Sequence, residues 1–440
     1  MSTATPTQTP PRPARRQLVP GIPPHQLRAA GVGQVIEWFD FTAYGLLAVY
    51  FSDKFFPASA SGLTALLGSF GILAVGFVVR PLAGLLIGAI ADRWGRKPAL
   101  MLTIYGMGIS SLMIALAPTY EQVGVLAPII LLTARIMQGL SIGGEFSTMS
   151  AFAMESAEPG RRGWVAGLIN VFGYLGQAAV AATVALVAFL LSGDAMETWG
   201  WRLVFGLGAL LSLGGVFLRR HMEETAAVAA PGAGQRRLTL RGLLQPMRNH
   251  PRQTLQVIGL TAGFTAAVYA WGSYFPTFAH THHGFDLRWS MLALVATNLG
   301  LMVMVPVAGL VSDRIGRRPT LVIGGLGLTL GTVPALGLLN DSVLRLLLVQ
   351  LAGSAMIALL QAGTMPAYSE LFPRRVRAAG YGFPYSLTVG VVGGTVPMIG
   401  TELASIGRPE LFPWYLVSLM AISTVFYFFI RETAFDPLPE

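Results

Sequence analysis

A short charged run occurs twice in this chain of 440 residues, about half a chain apart. Residues 88–98 and 309–319 both read Gly-x-x-x-Asp-Arg-x-Gly-Arg, followed by a basic residue and a proline. Each run lies between two long apolar stretches. A compact charged loop that recurs at this distance is typical of an internally duplicated membrane protein, because such proteins are built from structural repeats.

The composition also indicates contact with lipid. Apolar residues make up 53% of the chain, charged residues make up 12%, and the mean hydropathy is +0.60. A soluble protein carries roughly 25% charged residues, so these charges are too few to cover a water-exposed surface. The absence of cysteine excludes disulfides and thiolate metal sites.

A membrane helix needs about 20 mostly apolar residues, and a long polar connector divides the apolar stretches of this chain into two groups of six. We therefore predict an all-α membrane protein with twelve transmembrane helices in two pseudo-symmetric six-helix bundles. The predicted spans are 31–51, 65–90, 99–117, 124–152, 164–191, 202–219, 255–279, 290–311, 320–338, 342–368, 379–404 and 411–430. The predicted segments are a disordered cytoplasmic tail (1–27), an N-terminal bundle (28–220), a cytoplasmic linker (221–253), a C-terminal bundle (254–432) and a second cytoplasmic tail (433–440).

The basic residues predict the orientation, since cytoplasmic loops carry an excess of Lys and Arg. If both termini are cytoplasmic, 23 of the 30 Lys and Arg residues lie in the tails and inner loops and 5 lie near the outer surface. We expect a multi-pass protein of the plasma (inner) membrane with both termini inside. This bias also accounts for the net charge of +9 without a nucleic-acid partner.

The repeated runs suit a close, charged contact on the cytoplasmic face. A glycine one turn before each aspartate lets a neighbouring helix approach, and each aspartate can bind a helix N-terminus or an arginine. We predict a cytoplasmic gate; the alternative is that the basic residues only enforce topology. The predicted gating residues are Gly88, Asp92, Arg93 and Arg96 in the first run, Gly309, Asp313, Arg314 and Arg317 in the second, and Glu145 and Glu370 near the inner ends of helices 4 and 10.

Ionisable residues at bilayer depth are costly, and they are therefore candidates for function. Asp40 in helix 1 and Arg135 in helix 4 both fall near the midplane. We predict that they pair directly and that protonation of Asp40 breaks the pair, which would couple transport to protons. Glu37 shares a helix face with Asp40, and two like charges in one site favour proton binding near neutral pH. The alternative is a permanent structural salt bridge.

Arg80 in helix 2 is the candidate ligand for a substrate anion, because arginine stays protonated and binds carboxylates bidentately. The alternative is that Arg80 pairs with Glu37 as scaffold. In the second half of the chain the candidates for substrate contact are neutral residues: Tyr269 and Trp271 as an aromatic wall, and Gln361, Asn298 and Tyr385 as polar groups. An interfacial aromatic belt is the alternative for helix 7. The histidines of residues 280–283 lack a carboxylate cluster, so we predict no metal site and no cofactor other than the proton.

Several longer strings resemble the metabolite:proton symporter family of the major facilitator superfamily. They are Glu-Trp-Phe-Asp-Phe-Thr-Ala-Tyr-Gly (37–45), Arg-Pro-Leu-Ala-Gly (80–84), Pro-Thr-Tyr-Glu-Gln (118–122), Arg-Ile-Met-Gln-Gly-Leu-Ser-Ile-Gly-Gly-Glu (135–145), Trp-Gly-Trp-Arg (199–202), Arg-His-Met-Glu-Glu-Thr (220–225) and Glu-Leu-Phe-Pro (370–373). The resemblance implies proton-driven uptake of a small organic acid or a zwitterion. Asp40, Arg135 and Arg80 match charged positions of the family in helices 1, 4 and 2.

The expected protein is thus a monomeric proton symporter for a small organic acid, embedded in the lipid bilayer and working by alternating access. A symporter for a zwitterionic osmolyte such as proline or betaine, an exporter and a non-transporting membrane sensor remain alternatives. An enzyme is not expected, because no nucleophile–base or metal constellation occurs at the end of any span.

Overall fold

The computed structural model describes residues 24–94, 96–142, 150, 153–155, 157–158, 160–220, 245, 247–340, 342–373 and 376–439. Helices account for nearly all of this part of the chain, which contains no strand. The membrane helices in chain order are α1 (Pro24–Phe55), α2 (Gly62–Val78 and Arg80–Trp94), α3 (Arg96–Leu116), α4 (Leu126–Ile142), α5 (Arg162–Leu190), α6 (Trp201–Arg220), α7 (Pro251–Tyr269 and Phe275–His283), α8 (Leu287–Ile315), α9 (Arg317–Gly337), α10 (Val343–Glu370), α11 (Arg377–Thr388 and Gly394–Ser405) and α12 (Phe412–Phe429).

The twelve predicted helices are confirmed. Within the described residues, nine helices are long and apolar enough to cross a bilayer, the described parts of α3 and α4 are shorter apolar helices, and the twelfth, α1, is 32 residues long and less apolar. Several helices begin at the residue types that favour an N-cap. Asp286 accepts a hydrogen bond from the Arg288 amide at 2.8 Å at the start of α8, and Ser61 accepts one from the Thr64 amide at 3.2 Å at the start of α2.

Two helices of the C-terminal bundle contain a π-helical turn in the middle of the membrane. The turn in α7 is Ala270–Tyr274, and the turn in α11 is Val389–Gly393. Each turn ends shortly before a proline, Pro276 or Pro397, which has no amide proton to give to the carbonyl four residues earlier. The prolines explain why both helices depart from regular α geometry at this depth.

Two helix crossings join the bundles. In one crossing α5 packs closely against α8, and in the other α2 packs against α11. Glycines permit both approaches. A Cβ on Gly167 of α5 would lie 2.6 Å from the Cα of Pro306 in α8, and a Cβ on Gly394 of α11 would lie 2.9 Å from the Cα of Ala74 in α2. Backbones in direct contact therefore hold the two bundles together at two levels.

The α5–α8 crossing should not tolerate a side chain at Gly309. An ideal Cβ there would lie 2.6 Å from the carbonyl carbon of Gly163 and 2.9 Å from the amide nitrogen of Trp164. Gly309→Ala should cost about 1–3 kcal/mol through overpacking and lower the melting temperature of the purified protein. Gly331→Ala in α9 is the matched control, because a Cβ at Gly331 has no atom within 4 Å. Equal melting temperatures for the two variants would contradict this packing.

Candidate functional site

Asp40 lies in a closed polar cluster inside the N-terminal bundle. Its side chain is 1% exposed, and it receives hydrogen bonds from two other helices. The hydroxyl of Ser111 on α3 donates to Oδ1, and the Nε2 amide of Gln138 on α4 donates to Oδ2 at 2.7 Å. The same amide lies 3.3 Å from the Ser111 hydroxyl oxygen. An ionised carboxylate only accepts hydrogen bonds, and both of its oxygens have a donor here.

The predicted direct ion pair between Asp40 and Arg135 is wrong in its geometry. Gln138 lies between the two side chains: its Nε2 donates to Asp40, and its Oε1 accepts from Nη1 of Arg135. No direct ion pair joins Asp40 and Arg135 in the described residues. Gln138 follows Arg135 by three positions, so both project from the same face of α4. That spacing was the one sequence signal that could have identified the glutamine.

Aromatic rings hold the rest of the Arg135 guanidinium. Its central carbon lies 4.2 Å from the ring centroid of Tyr44 and 5.1 Å from that of Phe41, distances that give a cation–π attraction. Within the described residues, Nε and Nη2 of this 1% exposed arginine have no hydrogen-bond partner. A buried guanidinium with two unused donors is a strong site for an anion.

The guanidinium of Arg80 on α2 also lies against Phe41. The central carbon of its guanidinium is 3.9 Å from the ring centroid of Phe41 and 4.4 Å from that of Phe77. The side chains of Tyr269 on α7 and Tyr385 on α11 lie close to this guanidinium. Arg80 therefore stands where the two bundles face each other, and the C-terminal bundle supplies phenol groups there.

Glu37 is partly buried one turn before Phe41 on α1, and its carboxylate lies near Tyr269. It therefore belongs to the surroundings of Arg80 as well as to those of Asp40. The structure brings the predicted charged residues of helices 1, 2 and 4 into one neighbourhood, with the ring of Phe41 at its centre.

A cavity opens between the bundles beside this neighbourhood. It is lined by Trp38, Phe41, Thr42, Gly45, Leu73, Phe77 and Gln177 of the N-terminal bundle and by Val268, Tyr269, Gly272, Ser273, Gly393 and Pro397 of the C-terminal bundle. The π turns of α7 and α11 both contribute to this lining. Aromatic faces and a few polar groups are typical of a small-molecule site.

The structure distributes the predicted neutral residues differently. Tyr269 lines the cavity, and its ring packs edge-on against Phe77 at 4.9 Å. Tyr385 lies in a tyrosine cluster, 5.7 Å from the ring of Tyr368. Trp271 does not line the cavity: it packs towards α10, where Gln350 donates to its carbonyl at 3.3 Å.

The other two predicted polar residues do not line the cavity either. Asn298 is 1% exposed and donates to the carbonyl of Leu294 on its own helix at 3.0 Å. Gln361 bridges the bundles instead. It donates to Oδ1 of Asn170 on α5 at 2.6 Å and accepts from the Tyr174 hydroxyl at 3.3 Å.

Asp313, in the second copy of the repeated run, caps a helix of the other bundle. The start of α5 has no side-chain cap of its own, and the two carboxylate oxygens of Asp313 accept the amide protons of Gly163 and Trp164, each at 2.8 Å. Arg317 donates to Asp313 at 2.8 Å from within the same repeated run. A carboxylate at a helix N-terminus satisfies unpaired amides and complements the helix dipole.

Glu370 extends this contact. Nη1 of Arg162 lies 3.1 Å from Oε1 of Glu370, and Nη2 of Arg317 lies 3.6 Å from the same oxygen. These three side chains are almost fully buried, so removal of one partner would leave an uncompensated charge. The pair of Arg162 with Glu370 joins α5 of one bundle to α10 of the other.

Residues 432–436 join the same contact, which the sequence alone does not predict. Glu432 accepts the amide protons of Arg317 at 2.9 Å and Arg318 at 3.0 Å, and so it caps α9, which also has no side-chain cap of its own. Thr433 donates to Glu370 at 2.6 Å. Arg162 donates to the carbonyl of Asp436 at 3.1 Å.

The first copy of the repeated run cannot be compared at the same level. The side chains of Asp92, Arg93 and Arg96 and the surroundings of Gly88 lie outside the described residues, as does Glu145. In the second copy Arg314 is exposed. A further pair joins the bundles beside this run: Arg377 at the start of α11 lies 2.6 Å from the carboxylate of Glu155.

Comparisons with known proteins agree with this architecture. Residues 30–297 and 289–439 match the Major Facilitator Superfamily. The xylose transporter XylE from E. coli, in a partially occluded inward open conformation, has a similar fold with a TM-score of 0.72 and 18% identity over 93% of this chain and 98% of that chain.

Two curated relatives match most of the chain. The alpha-ketoglutarate permease of Escherichia coli (strain K12) is 34% identical over 398 residues, which cover 89% of this chain and 90% of that protein. The glycine betaine/proline/ectoine/pipecolic acid transporter OusA of Dickeya dadantii (strain 3937) is 32% identical over 434 residues, which cover 94% and 84%. The chain therefore belongs to the Major Facilitator Superfamily and is a multi-pass membrane transporter rather than an enzyme.

Proposed function

We propose that this protein is a proton-coupled symporter that imports a small metabolite bearing a carboxylate by alternating access. The observation that carries the proposal is the buried cluster of Asp40, Gln138 and Arg135 next to a cavity between the bundles. Both termini are cytoplasmic in this proposal, the protein acts as a monomer in the plasma (inner) membrane, and the proton is the coupling ion.

The proton binds Asp40. A buried carboxylate in a membrane requires compensation of its charge. Ser111 and Gln138 supply neutral hydrogen-bond donors, and Arg135 supplies a positive charge on the other side of Gln138. Protonation of Asp40 removes the negative charge from the cluster. The guanidinium of Arg135 then loses its nearby counter-charge, and its affinity for another anion rises.

The substrate carboxylate binds at Arg80. The guanidinium lies against Phe41 and Phe77, both of which line the cavity, and Tyr269 and Tyr385 lie beside it. Alpha-ketoglutarate, glycine betaine and proline, which appear in the names of the relatives, all carry a carboxylate. This shared carboxylate supports carboxylate-bearing metabolites as the class of substrate, and it does not favour one compound of that class.

A zwitterionic osmolyte is a second candidate within that class. Trp38, Phe41, Phe77 and Tyr269 place aromatic rings around the cavity, and aromatic faces attract quaternary ammonium groups. A substrate with a carboxylate at Arg80 and a cationic head among these rings would use both features. A dicarboxylate would instead place its second carboxylate near the unused donors of Arg135.

The inner-face contacts form the cytoplasmic gate. Asp313, Glu370 and Arg377 each join residues of the two bundles, and their separation would open a path from the cavity to the cytoplasm. In this proposal the repeated run provides the gate, and the charged cluster of the N-terminal bundle provides the coupling.

Asp40→Asn should abolish uptake driven by a pH gradient and leave counterflow exchange of substrate intact. An asparagine still fills the site and hydrogen-bonds to its neighbours, but it cannot bind and release a proton. Uptake in proteoliposomes with and without an imposed pH gradient measures the difference. Asp53→Asn, an exposed position on the same helix, is the control. Normal gradient-driven uptake by Asp40→Asn would contradict the coupling role.

Arg80→Lys should weaken apparent substrate affinity about tenfold, because a single ammonium replaces a bidentate guanidinium. Thermal-shift titrations with alpha-ketoglutarate and with glycine betaine measure the affinity and also rank the two candidate classes. Arg408→Lys, on an exposed pair near the outer surface, is the control. If Arg80→Lys binds every stabilising compound as tightly as the unmodified protein, Arg80 is scaffold rather than ligand.

Asp313→Asn should slow transport without altering the order in which substrates are preferred. The amide replaces one acceptor oxygen with a donor, so one of the Gly163 and Trp164 amides loses its partner and the pair with Arg317 loses its charge. Initial uptake rates for a panel of carboxylates check both points. Glu410→Gln, in an exposed pair with Arg408, should leave the rates unchanged. An altered substrate order would contradict a purely gating role.

A further inference from the structure

Gln138 occupies the one position that touches every polar member of the buried cluster. Its Nε2 donates to Asp40 at 2.7 Å and lies 3.3 Å from the Ser111 hydroxyl, and its Oε1 accepts from Arg135. The side chain is 1% exposed. An amide in this place carries no charge of its own, yet the two charged groups interact through it.

The orientation of this amide follows from its neighbours. An ionised carboxylate only accepts hydrogen bonds, and a guanidinium only donates them. An amide between them must therefore turn its nitrogen towards Asp40 and its oxygen towards Arg135. Any other arrangement would set two donors or two acceptors against each other in a buried site, at the cost of unpaired polar groups.

Protonation of Asp40 disturbs this arrangement, whichever oxygen takes the proton. If Oδ2 is protonated, its hydroxyl oxygen accepts the N–H of Gln138 only weakly, or the amide turns over and presents its N–H to Arg135. If Oδ1 is protonated, the Ser111 hydroxyl can rotate to accept, and the bond from Gln138 becomes one to a neutral oxygen, which is weaker than a bond to a carboxylate. In both cases Gln138 holds Arg135 less firmly.

Arg135 is ready to respond to that change. Its remaining contacts are the ring faces of Tyr44 and Phe41, and its Nε and Nη2 have no partner in the described residues. We propose that Gln138 is a positioning residue that transmits the protonation state of Asp40 to the Arg135 guanidinium. This inference rests on the proposed function, in which Asp40 binds the transported proton.

Other charged groups near the cluster are few. Glu37 lies one turn before Asp40 on α1, and the guanidinium of Arg80 on α2 lies over the ring of Phe41, as that of Arg135 does. At the level of Asp40, α3 presents Ser111 and α6 presents Gly208, whose ideal Cβ would lie 3.2 Å from Oδ1. The helices packed against Asp40 on this side therefore contribute neutral groups, and a pH response that changes with position 138 reports on this cluster.

The test compares two variants of Gln138 in proteoliposomes, with alpha-ketoglutarate and glycine betaine as probes. Gln138→Leu keeps a similar volume and removes the hydrogen bonds to Asp40, Ser111 and Arg135. Gln138→Glu keeps an acceptor for Arg135 and places a second carboxylate beside Asp40. The control is Ser141→Ala on the same helix, whose hydroxyl donates to the carbonyl of Met137 at 2.8 Å. Gradient-driven uptake, counterflow exchange and the pH dependence of uptake are measured for each variant and for Asp40→Asn.

Gln138→Leu should lower gradient-driven uptake about tenfold, because one buried hydrogen-bonded link is lost, with a flattened pH profile and preserved exchange. Gln138→Glu should move the pH of half-maximal uptake upwards by about one unit, because a like charge in the same site favours proton binding. Ser141→Ala should behave like the unmodified protein. If Gln138→Leu does not reach the membrane, the shift in Gln138→Glu decides the matter.

An unchanged pH profile in the Gln138 variants would overturn the proposal, even if uptake falls. An equal fall of gradient-driven uptake and of counterflow exchange would indicate a structural role for Gln138. The outcome for Asp40→Asn distinguishes failure of the Gln138 proposal from failure of proton coupling at Asp40. Loss of gradient-driven uptake in Asp40→Asn alongside unchanged Gln138 profiles would reject the role of the glutamine and leave proton coupling at Asp40 in place.

Discussion

The cost of a charge in a low-dielectric interior governs this transporter. Asp40 and Arg135 lie at membrane depth and are each 1% exposed, so neither is stable as an ion without compensation. Gln138 and Ser111 supply that compensation through neutral hydrogen bonds, and the rings of Tyr44 and Phe41 support the guanidinium. An arrangement balanced in this way depends on the protonation of one carboxyl, and proton coupling requires such a dependence.

The contacts between the bundles around Asp313 and Glu370 use the same chemistry. The helices α5 and α9 begin without side-chain caps of their own, and carboxylates from elsewhere in the chain, Asp313 and Glu432, accept their first amide protons. Separation of the bundles uncaps α5 and breaks the pair of Arg162 with Glu370. The packed arrangement of the two bundles is therefore favoured by contacts that separation would replace with water.

The sequence predicted the helices and the buried charges because both follow from local rules. Apolar length defines a span, and an arginine such as Arg80 within a span needs a reason to be there. The hydrogen-bond partners of these charges are harder to predict from the sequence. Gln138 and Ser111 are ordinary polar residues until the packing of α1, α3 and α4 places them on Asp40, and the turn of Trp271 towards α10 depends on the π turn in α7. The cap from Glu432 depends on a contact more than a hundred residues away along the chain.

The most direct test of the account is whether substrate movement alone moves protons. Proteoliposomes containing the purified protein, with equal pH on both sides and a pH indicator inside, receive alpha-ketoglutarate or glycine betaine outside. Proton symport predicts that entry of the transported compound acidifies the interior, because each inward cycle carries a proton with it. In vesicles whose indicator still responds to an ionophore, entry of labelled substrate with no change of internal pH would contradict proton symport.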